Sequence, residues 1–404
     1  MVELKRKLNI KSNNYLSVLE IINSKNHKAR LVGGVVRDAI LGIESQDVDI
    51  ITTMLPEELI KVFRSLGHKA IPTGIKFGTV SILYDGELFE VTTLRKDISS
   101  DGGRHAKVEY TKDFYIDALR RDFTINALSY CPFEEKVYDY FNGIEHLTLG
   151  CVKFIGDPEL RIQEDYLRIL RFFRFFGKFG KKMDQNSLEA CIKYRSFIKK
   201  LSRERIKSEL NLIFSLPNYC DIIGLMNDCS ILQEVLPISH ILGLEKFVIG
   251  KEIAKRLDVL LSNETKYALL FALGNNGISY TQLINLKFSR AEARHIDKLL
   301  AIKDDNIEES FLKKIWVEND NFAQFFIFLA ALCEEKEKIE NVFLQLQNQP
   351  KQFFPINGGD IAALGISPAE RGRELRYLKE KWIKSNFELT KHNLIKMLKQ
   401  KNEK

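Results

Sequence analysis

The stretch from Arg30 to Ile50 restricts the possible folds of this chain more than any other. It reads Arg-Leu-Val-Gly-Gly-Val-Val-Arg-Asp-Ala-Ile-Leu-Gly, then Ile-Glu-Ser, and then Gln-Asp-Val-Asp-Ile. The apolar residues before Gly33 and Gly34 predict a strand, the two glycines predict a turn, and Val35 to Leu41 predict a short helix. A strand, a turn, a helix and a second strand therefore follow one another within about twenty residues.

The glycine turn is a candidate site for phosphate. Gly33 and Gly34 let the backbone approach a ligand closely, and free N–H groups at the start of a helix attract anions. Arg37, one turn into the helix, can add a forked cationic donor to the same phosphates. A Gly-Gly turn before a helix is also common as a purely structural element, so this motif does not decide the matter alone.

The second half of the stretch is a candidate metal site. In a strand over Asp47 to Ile50, Asp47 and Asp49 project from one face and Val48 from the other. Two adjacent carboxylates repel each other unless a cation lies between them. Mg²⁺ prefers such oxygen ligands together with substrate phosphates, and two ions can assist nucleotidyl transfer. An exposed strand end is the alternative interpretation of an Asp-x-Asp pair.

Two further segments extend the candidate site. Alternation along the predicted strand 88–93 places Glu90 on the face opposite Phe89 and Val91, where it can join the two aspartates. Residues 96–104 lack hydrophobic periodicity and contain two glycines, which predicts a mobile loop beside the site.

A short apolar segment, residues 117–127, also contains charged and amide groups. Arg121, Asp122 and Asn126 are candidates for holding phosphate and ribose, and a buried structural network is an equally good interpretation.

A helix predicted over residues 163–176 contains charges on an otherwise apolar surface. Asp165, Arg168 and Arg171 follow at intervals of three residues, so they should lie along one side. Mutual ion pairs would satisfy them. Alternatively, an Asp can accept from an exocyclic amine while an Arg donates to the neighbouring ring nitrogen. Cytosine and adenine offer that edge, whereas uracil and guanine offer the reverse.

Composition and charge set the outer limits. The hydrophobic content of 45% is typical of globular proteins, and six cysteines without a Cys-x-x-Cys pair indicate a reducing compartment. The longest apolar run is too short for a membrane span, and the first ten residues do not resemble a secretory signal, so we expect a cytoplasmic protein. Residues 161–212 contain fourteen Lys and Arg against six acids, which indicates a surface for a polyanion or a solvated helical surface.

The predicted elements change character near residue 150. Before that point, short strands (30–32, 48–52, 79–84, 88–93 and 137–140) alternate with helices at 56–66 and after Arg120. Beyond it, nearly every segment has helical periodicity, including 201–214, 266–273, 290–302, 308–316, 322–333 and 336–346. The fold class predicted is α+β, with an all-helical second part.

Five motifs together resemble the class II CCA-adding enzymes, the tRNA nucleotidyltransferase and poly(A) polymerase family. They are Leu31-Val-Gly-Gly-Val-Val-Arg-Asp, Asp47-Val-Asp, Glu90-Val-Thr-Thr-Leu-Arg, Arg120-Arg-Asp-Phe-Thr-Ile-Asn and Glu164-Asp-x-x-Arg. The resemblance covers residues 28–215. The sequence Gly102-Gly-Arg-His-Ala is most similar to the α-proteobacterial and mitochondrial branch of the family. This similarity allows a mitochondrial matrix location if the source is eukaryotic.

The resemblance implies a polymerase-β-like head (residues 1–152), a helical neck that reads the base (153–215), and a helical body and tail that bind tRNA (216–404). It implies Mg²⁺ at Asp47 and Asp49, and base selection from CTP and ATP by Asp165 and Arg168. Arg171 and Arg174 would line the same pocket. No membrane and no obligate protein partner are expected.

The resemblance also leaves alternative products open. Bacterial poly(A) polymerases share the head motifs, and enzymes that add only CC lack the flexible-loop element needed to accept ATP. Residues 95–117 retain that element, which favours full CCA addition, although the Gly102-Gly103 doublet adds a residue to the loop. A catalytically idle RNA-binding protein is the alternative of another class.

Overall fold

Two compact units make up the chain, residues 1–236 and residues 237–404. The computed structural model describes residues 2–5, 7–10, 13–45, 47–99, 107–274, 277–303 and 307–402. None of the helices in this described part is long and apolar enough to cross a membrane. All six cysteines are free thiols.

The first unit contains the strands. They are β1 (Val2–Lys5), β2 (Ala29–Val32), β3 (Asp49–Thr52), β4 (Lys69–Gly74), β5 (Thr79–Tyr84), β6 (Glu87–Thr93), β7 (Arg95–Ser99), β8 (Lys107–Tyr110), β9 (Ser129–Cys131) and β10 (Lys136–Asp139). Eight form one sheet in the order β1-β10-β9-β2-β3-β6-β5-β4, and β7 pairs with β8 separately. The pairing of β3 with β6 is parallel and sets Asp49 beside Glu90.

Helices complete the first unit, and the first three along the chain pack against the sheet. The helices are α1 (Asn14–Asn23), α2 (Gly34–Ile40), α3 (Pro56–Ser65), α4 (Phe114–Leu119), α5 (Gly143–Leu149), α6 (Pro158–Glu164), α7 (Leu167–Phe179), α8 (Gln185–Tyr194), α9 (Arg203–Phe214), α10 (Tyr219–Asp228) and α11 (Leu232–Val235). α3 begins with Pro56, whose missing N–H costs nothing at the first helical position. Its Leu59 and Phe63 are fully buried in the core that α1, α2 and the sheet share.

The second unit is helical throughout its described residues. Its helices are α12 (Glu245–Arg256), α13 (Asn263–Leu273), α14 (Tyr280–Asn285), α15 (Arg290–Ala301), α16 (Glu309–Glu318), α17 (Phe322–Leu332), α18 (Lys336–Gln347), α19 (Gly358–Ala362), α20 (Pro368–Lys384) and α21 (Lys391–Asn402). The helices predicted at 266–273, 290–302, 308–316, 322–333 and 336–346 are thus confirmed, with ends that differ by at most three residues.

Four local predictions are wrong. The helix predicted over 163–176 is two helices, because the backbone at Asp165 is extended (φ −156°, ψ 108°). β3 begins at Asp49, so Asp47 lies before the strand. The helix near Arg120 precedes it, and only a 3-10 turn at Thr124–Asn126 follows. Residues 96–99 belong to β7, whereas residues 100–106, including the glycine doublet, lie outside the described residues.

Candidate active site

The glycine turn opens onto a cavity of about 620 Å³ in the first unit. Gly33 has a φ of +72°, at which a residue with a side chain would be strained. Its N–H donates to the Leu128 carbonyl at 3.0 Å. A Cβ at Gly33 would lie 3.6 Å from an Arg121 nitrogen, in ordinary contact. The backbone turn and the Arg121 guanidinium therefore lie side by side at the cavity wall, an arrangement suited to a phosphate group.

Every predicted site residue except Glu90 lines this cavity. The lining comprises Gly33, Gly34, Arg37, Asp47, Asp49, Arg120, Arg121, Asp122, Asn126, Asp165, Arg168, Arg171, Arg174 and Phe175. Six of the fourteen are arginines and four are carboxylates. Such a lining suits a polyanionic ligand with polar groups at both ends.

Two carboxylates, Asp47 and Asp49, line one side of the cavity, and a third, Glu90, lies on the neighbouring strand. Asp47 is exposed, Asp49 is half-buried, and Glu90, exposed on β6, is the register partner of Asp49. Burial raises the pKa of Asp49 to about 6, and repulsion by Glu90 and Asp47 adds to it while Arg121 opposes it. A cation beside Asp49 would relieve this repulsion.

The described residues contain no group of three or more His, Cys, Asp and Glu that could hold a metal ion by themselves. Asp47 and Asp49 would supply two ligands to an ion bound here, and further oxygen ligands would have to come from substrate and water. That division is typical of Mg²⁺ sites in proteins that bind triphosphates, so the donor set fits the ion.

Asp117 holds two of the cavity arginines. It is fully buried, and its Oδ1 accepts from Arg120 Nε and Nη2 at 2.9 and 2.7 Å. Its Oδ2 accepts from Arg121 Nε and Nη2 at 3.3 and 3.1 Å. The Arg95 backbone N–H at the start of β7 donates to Oδ1 at 3.3 Å. Although burial opposes ionisation, the two guanidinium groups lower the pKa of Asp117. The carboxylate fixes the directions of both arginines.

Asp122 and Asn126 form a second buried network. Asp122 accepts from Arg171 Nε at 2.7 Å and from Asn126 Nδ2 at 3.0 Å. Asn126 Oδ1 in turn accepts from Arg37 Nη1 at 2.5 Å, and Arg37 is only 5% exposed. Burial opposes ionisation of Asp122, but Arg171, Asn126 and Arg168 outweigh it and lower the pKa to about 2. Asp122 and Asn126 therefore belong to a buried hydrogen-bond network, which was one of the two interpretations of the segment 117–127. Both residues also line the cavity.

Only one residue of the candidate base-reading pair lies in a helix. Asp165 occupies the gap between α6 and α7; its Oδ1 accepts from the Leu167 N–H at 3.1 Å and its Oδ2 from Arg205 at 2.6 Å. Arg168 lies in α7 and donates to Glu164 at 2.5 Å and to the Arg120 carbonyl at 2.8 Å. Each side chain therefore has a protein partner, and the two do not lie along one helical face as predicted.

An aromatic ring lies among three of the arginines. The guanidinium groups of Arg174, Arg171 and Arg37 lie 4.4, 5.2 and 5.4 Å from the Phe175 ring centre. Arg174 also donates to the buried Glu209 of α9. The ring face attracts each cation and limits its motion.

Sequence reasoning missed several of these groups. Arg120 and Glu164 belong to the motifs that carry the resemblance, and Asp117 begins the segment 117–127, so a charge close to a predicted site residue was an available signal. Phe175 is one of the apolar residues of the helix predicted over 163–176, and apolar residues there received no functional assignment. Arg205 and Glu209 carry no such signal, because they belong to a separate helix and meet the cavity residues only through the fold.

Two family models match parts of the chain. Residues 29–153 match the Poly A polymerase head domain, and residues 181–241 match the probable RNA and SrmB-binding site of polymerase A. A mitochondrial CCA tRNA nucleotidyltransferase 1 from Mus musculus is 34% identical over 396 residues, which cover 95% of this chain and 89% of the relative. The chain belongs to the CCA tRNA nucleotidyltransferase family.

Solved structures of CCA-adding enzymes share the fold. The Bacillus stearothermophilus enzyme, solved in complex with CTP, matches with a TM-score of 0.73 and 24% identity over 96% of this chain and 97% of that one. The Thermotoga maritima enzyme, complexed with tRNA, matches with a TM-score of 0.72 and 20% identity over 96% of each chain. The predicted family and the α+β fold with a nucleotidyltransferase head are confirmed. The chain is a nucleotidyltransferase of tRNA processing, and such enzymes generally use divalent metal ions.

Proposed function

We propose that this chain adds C, C and A in turn to the 3′ end of tRNA, taking them from CTP and ATP and releasing pyrophosphate. The observation that carries the proposal is the cavity, which brings the glycine turn, the arginines and the carboxylates proposed for these roles together in one unit. Family membership supports the same conclusion, as do the relatives solved with CTP and with tRNA. No nucleic acid template is needed if side chains select the base.

The phosphate end of the nucleotide would lie against Gly33, Gly34, Arg37 and Arg121. We propose that Asp47 and Asp49 hold two Mg²⁺ ions, which when bound would neutralise the triphosphate and activate the terminal hydroxyl of the tRNA. The chain's own contribution is positioning and charge neutralisation, since Arg121 is held by Asp117 and Arg37 by Asn126 before substrate arrives. Glu90, on the neighbouring strand, would join the two aspartates as a third catalytic carboxylate.

Base selection would rest on Asp165 and Arg168. The carboxylate accepts from the exocyclic amine of cytosine or adenine, and the guanidinium donates to the adjacent ring nitrogen. With uracil or guanine, a carbonyl oxygen would face the Asp165 carboxylate and a ring N–H would face the Arg168 guanidinium. Such a mismatch costs far more than a missing contact. Arg171 and Arg174 would line the same end of the cavity, with Asp122 acting through Arg171.

The remaining assignments follow from the family. We propose the division into head (1–152), neck (153–215) and tRNA-binding body and tail (216–404), although the compact units divide at residue 236, which keeps head and neck together. The basic zone at 161–212 would track the acceptor stem by its backbone, not its sequence. The bacterial cytoplasm, or the mitochondrial matrix in a eukaryote, is the proposed location.

Asp47→Asn tests whether the chain is an enzyme or an idle RNA-binding protein. The variant keeps the size of the side chain but removes one charge from the proposed metal site, so extension of tRNA should fall at least roughly a hundredfold while tRNA binding persists. Asp85→Asn, in the exposed turn between β5 and β6, removes the same charge elsewhere in the head and should leave extension unchanged.

Extension by wild type should also stop in EDTA and return with Mg²⁺. Full activity of Asp47→Asn would remove the metal assignment, and wild-type tRNA binding without any extension would favour the idle protein.

A further inference from the structure

Asp165 lacks the support that a helix gives to its side chains. Its backbone is extended in the gap between α6 and α7, so neither helix fixes the direction of the carboxylate. Two contacts fix it instead, one to each oxygen. The Leu167 N–H donates to Oδ1 at 3.1 Å, and Arg205 donates to Oδ2 at 2.6 Å.

Arg205 approaches Asp165 from outside the cavity. It lies in the first turn of α9, its side chain is 19% exposed, and it is not among the described residues that line the cavity. A short hydrogen bond between two charged groups is stronger than a neutral one. Arg205 can therefore hold the carboxylate without touching a nucleotide in the cavity.

The contacts also leave Asp165 able to accept from a base. Each carboxylate oxygen can accept two hydrogen bonds, and only one to each is used by Leu167 and Arg205. Arg205 thus orients the acceptor and does not compete with the exocyclic amine for the same lone pair.

We propose that Arg205 is a positioning residue for base selection, which holds the Asp165 carboxylate in the direction that accepts from cytosine and adenine. This inference rests on the proposed function, in which Asp165 reads the base. Without Arg205 the carboxylate turns about its side-chain bonds, and the penalty for placing the O4 carbonyl of uracil against it decreases because the two oxygens can move apart. The preference for CTP over UTP should then fall more than the turnover rate with CTP.

The test compares CTP with UTP in single-nucleotide extension of a tRNA that lacks its CCA end, with the full chain and Mg²⁺. The ratio of kcat/KM for CTP to that for UTP is the readout, because a partly unfolded preparation lowers both values equally. Arg205→Gln should reduce this ratio about tenfold, the size expected for one charge-assisted hydrogen bond. Arg205→Lys keeps the charge and one donor, and should recover part of the ratio.

Arg203→Gln is the matched control. Arg203 lies in the same turn of α9 and donates to the Val235 carbonyl at 3.1 Å, not to Asp165, so its loss should leave the ratio at the wild-type value. An unchanged ratio in Arg205→Gln, or an equal fall in Arg203→Gln, would overturn the inference.

Asp165→Asn separates this inference from the proposed function. If Asp165→Asn relaxes the ratio and Arg205→Gln does not, Asp165 reads the base but Arg205 does not position it. If Asp165→Asn keeps the wild-type ratio, Asp165 does not read the base and the role of Arg205 falls with it.

Discussion

Replacing Asp49 with Asn should stabilise the metal-free protein while it abolishes activity. The carboxylate is half-buried and lies near Glu90 and Asp47, and burial together with this repulsion raises its pKa from 3.8 to about 6. At about 1.4 kcal/mol for each pH unit, that difference makes the ionised carboxylate cost about 3 kcal/mol of folding free energy. Asn has nearly the same shape and carries no charge, so the variant avoids this cost.

The raised pKa of Asp49 determines how the stability advantage of the variant changes with pH. Below pH 3.8 the carboxyl group is protonated in both folded and unfolded chains, and the variant gains nothing. Between pH 3.8 and about 6 the unfolded chain loses its proton first, so wild type is increasingly penalised as the pH rises. Above about pH 6 the penalty is complete and constant. The advantage of the variant should therefore be present at pH 8 and absent near pH 4.

Thermal unfolding in EDTA measures the effect. An advantage of about 3 kcal/mol corresponds to a rise in Tm of roughly 6–12 °C for a unit of this size. Glu20→Gln, on the exposed face of α1, removes a carboxylate without this environment and should change stability by less than about 0.5 kcal/mol. Mg²⁺ should raise the Tm of wild type more than that of the variant. A variant no more stable than wild type at pH 8 would refute the argument from burial and repulsion.

Two further substitutions test the arginine positions. Asp117→Asn leaves Arg120 and Arg121 without their buried anion, so stability should fall by about 3–5 kcal/mol and the KM for CTP should rise at a temperature where the variant is still folded. Phe175→Leu removes the ring from three guanidinium groups and should raise the KM for CTP roughly three- to tenfold, measured by steady-state extension with CTP.

Each of these substitutions has a matched control. Asp139 is also buried but accepts from the backbone N–H groups of Gly143 and Ile144, so Asp139→Asn should lose stability without a change in KM. Phe172 packs against Phe154 with ring centres 5.9 Å apart, and Phe172→Leu should behave in the same way. A KM for CTP that changes equally in variant and control would mean that packing, not arginine position, sets nucleotide affinity.

Much of this site could be predicted because its groups are close in sequence. Gly33, Gly34, Arg37, Asp47 and Asp49 follow one another from the glycine turn through α2 to the start of β3, and their spacing indicates their chemistry. Helices of the second unit were also predictable, since their apolar residues recur at helical intervals over a dozen residues.

Local competition and tertiary contacts were not predictable. The apolar period continues unbroken through residues 163–176, but the Asp165 side chain accepts from the Leu167 N–H and ends one helix before the next begins. Arg205 lies forty positions after Asp165 in the chain, and no pattern in the sequence predicts their contact. Short strands such as β9, with three residues, are too brief for alternation to be recognised.

Extension of a tRNA that lacks its 3′ CCA, resolved at single-nucleotide length in Mg²⁺, tests the central claim most directly. CTP alone should add two residues, ATP alone should add none, and CTP with ATP should add three and then stop. An arrest after two residues with both nucleotides present would mean a CC-adding enzyme, and a long tail from ATP alone would mean a poly(A) polymerase. Either result would contradict CCA addition by this chain.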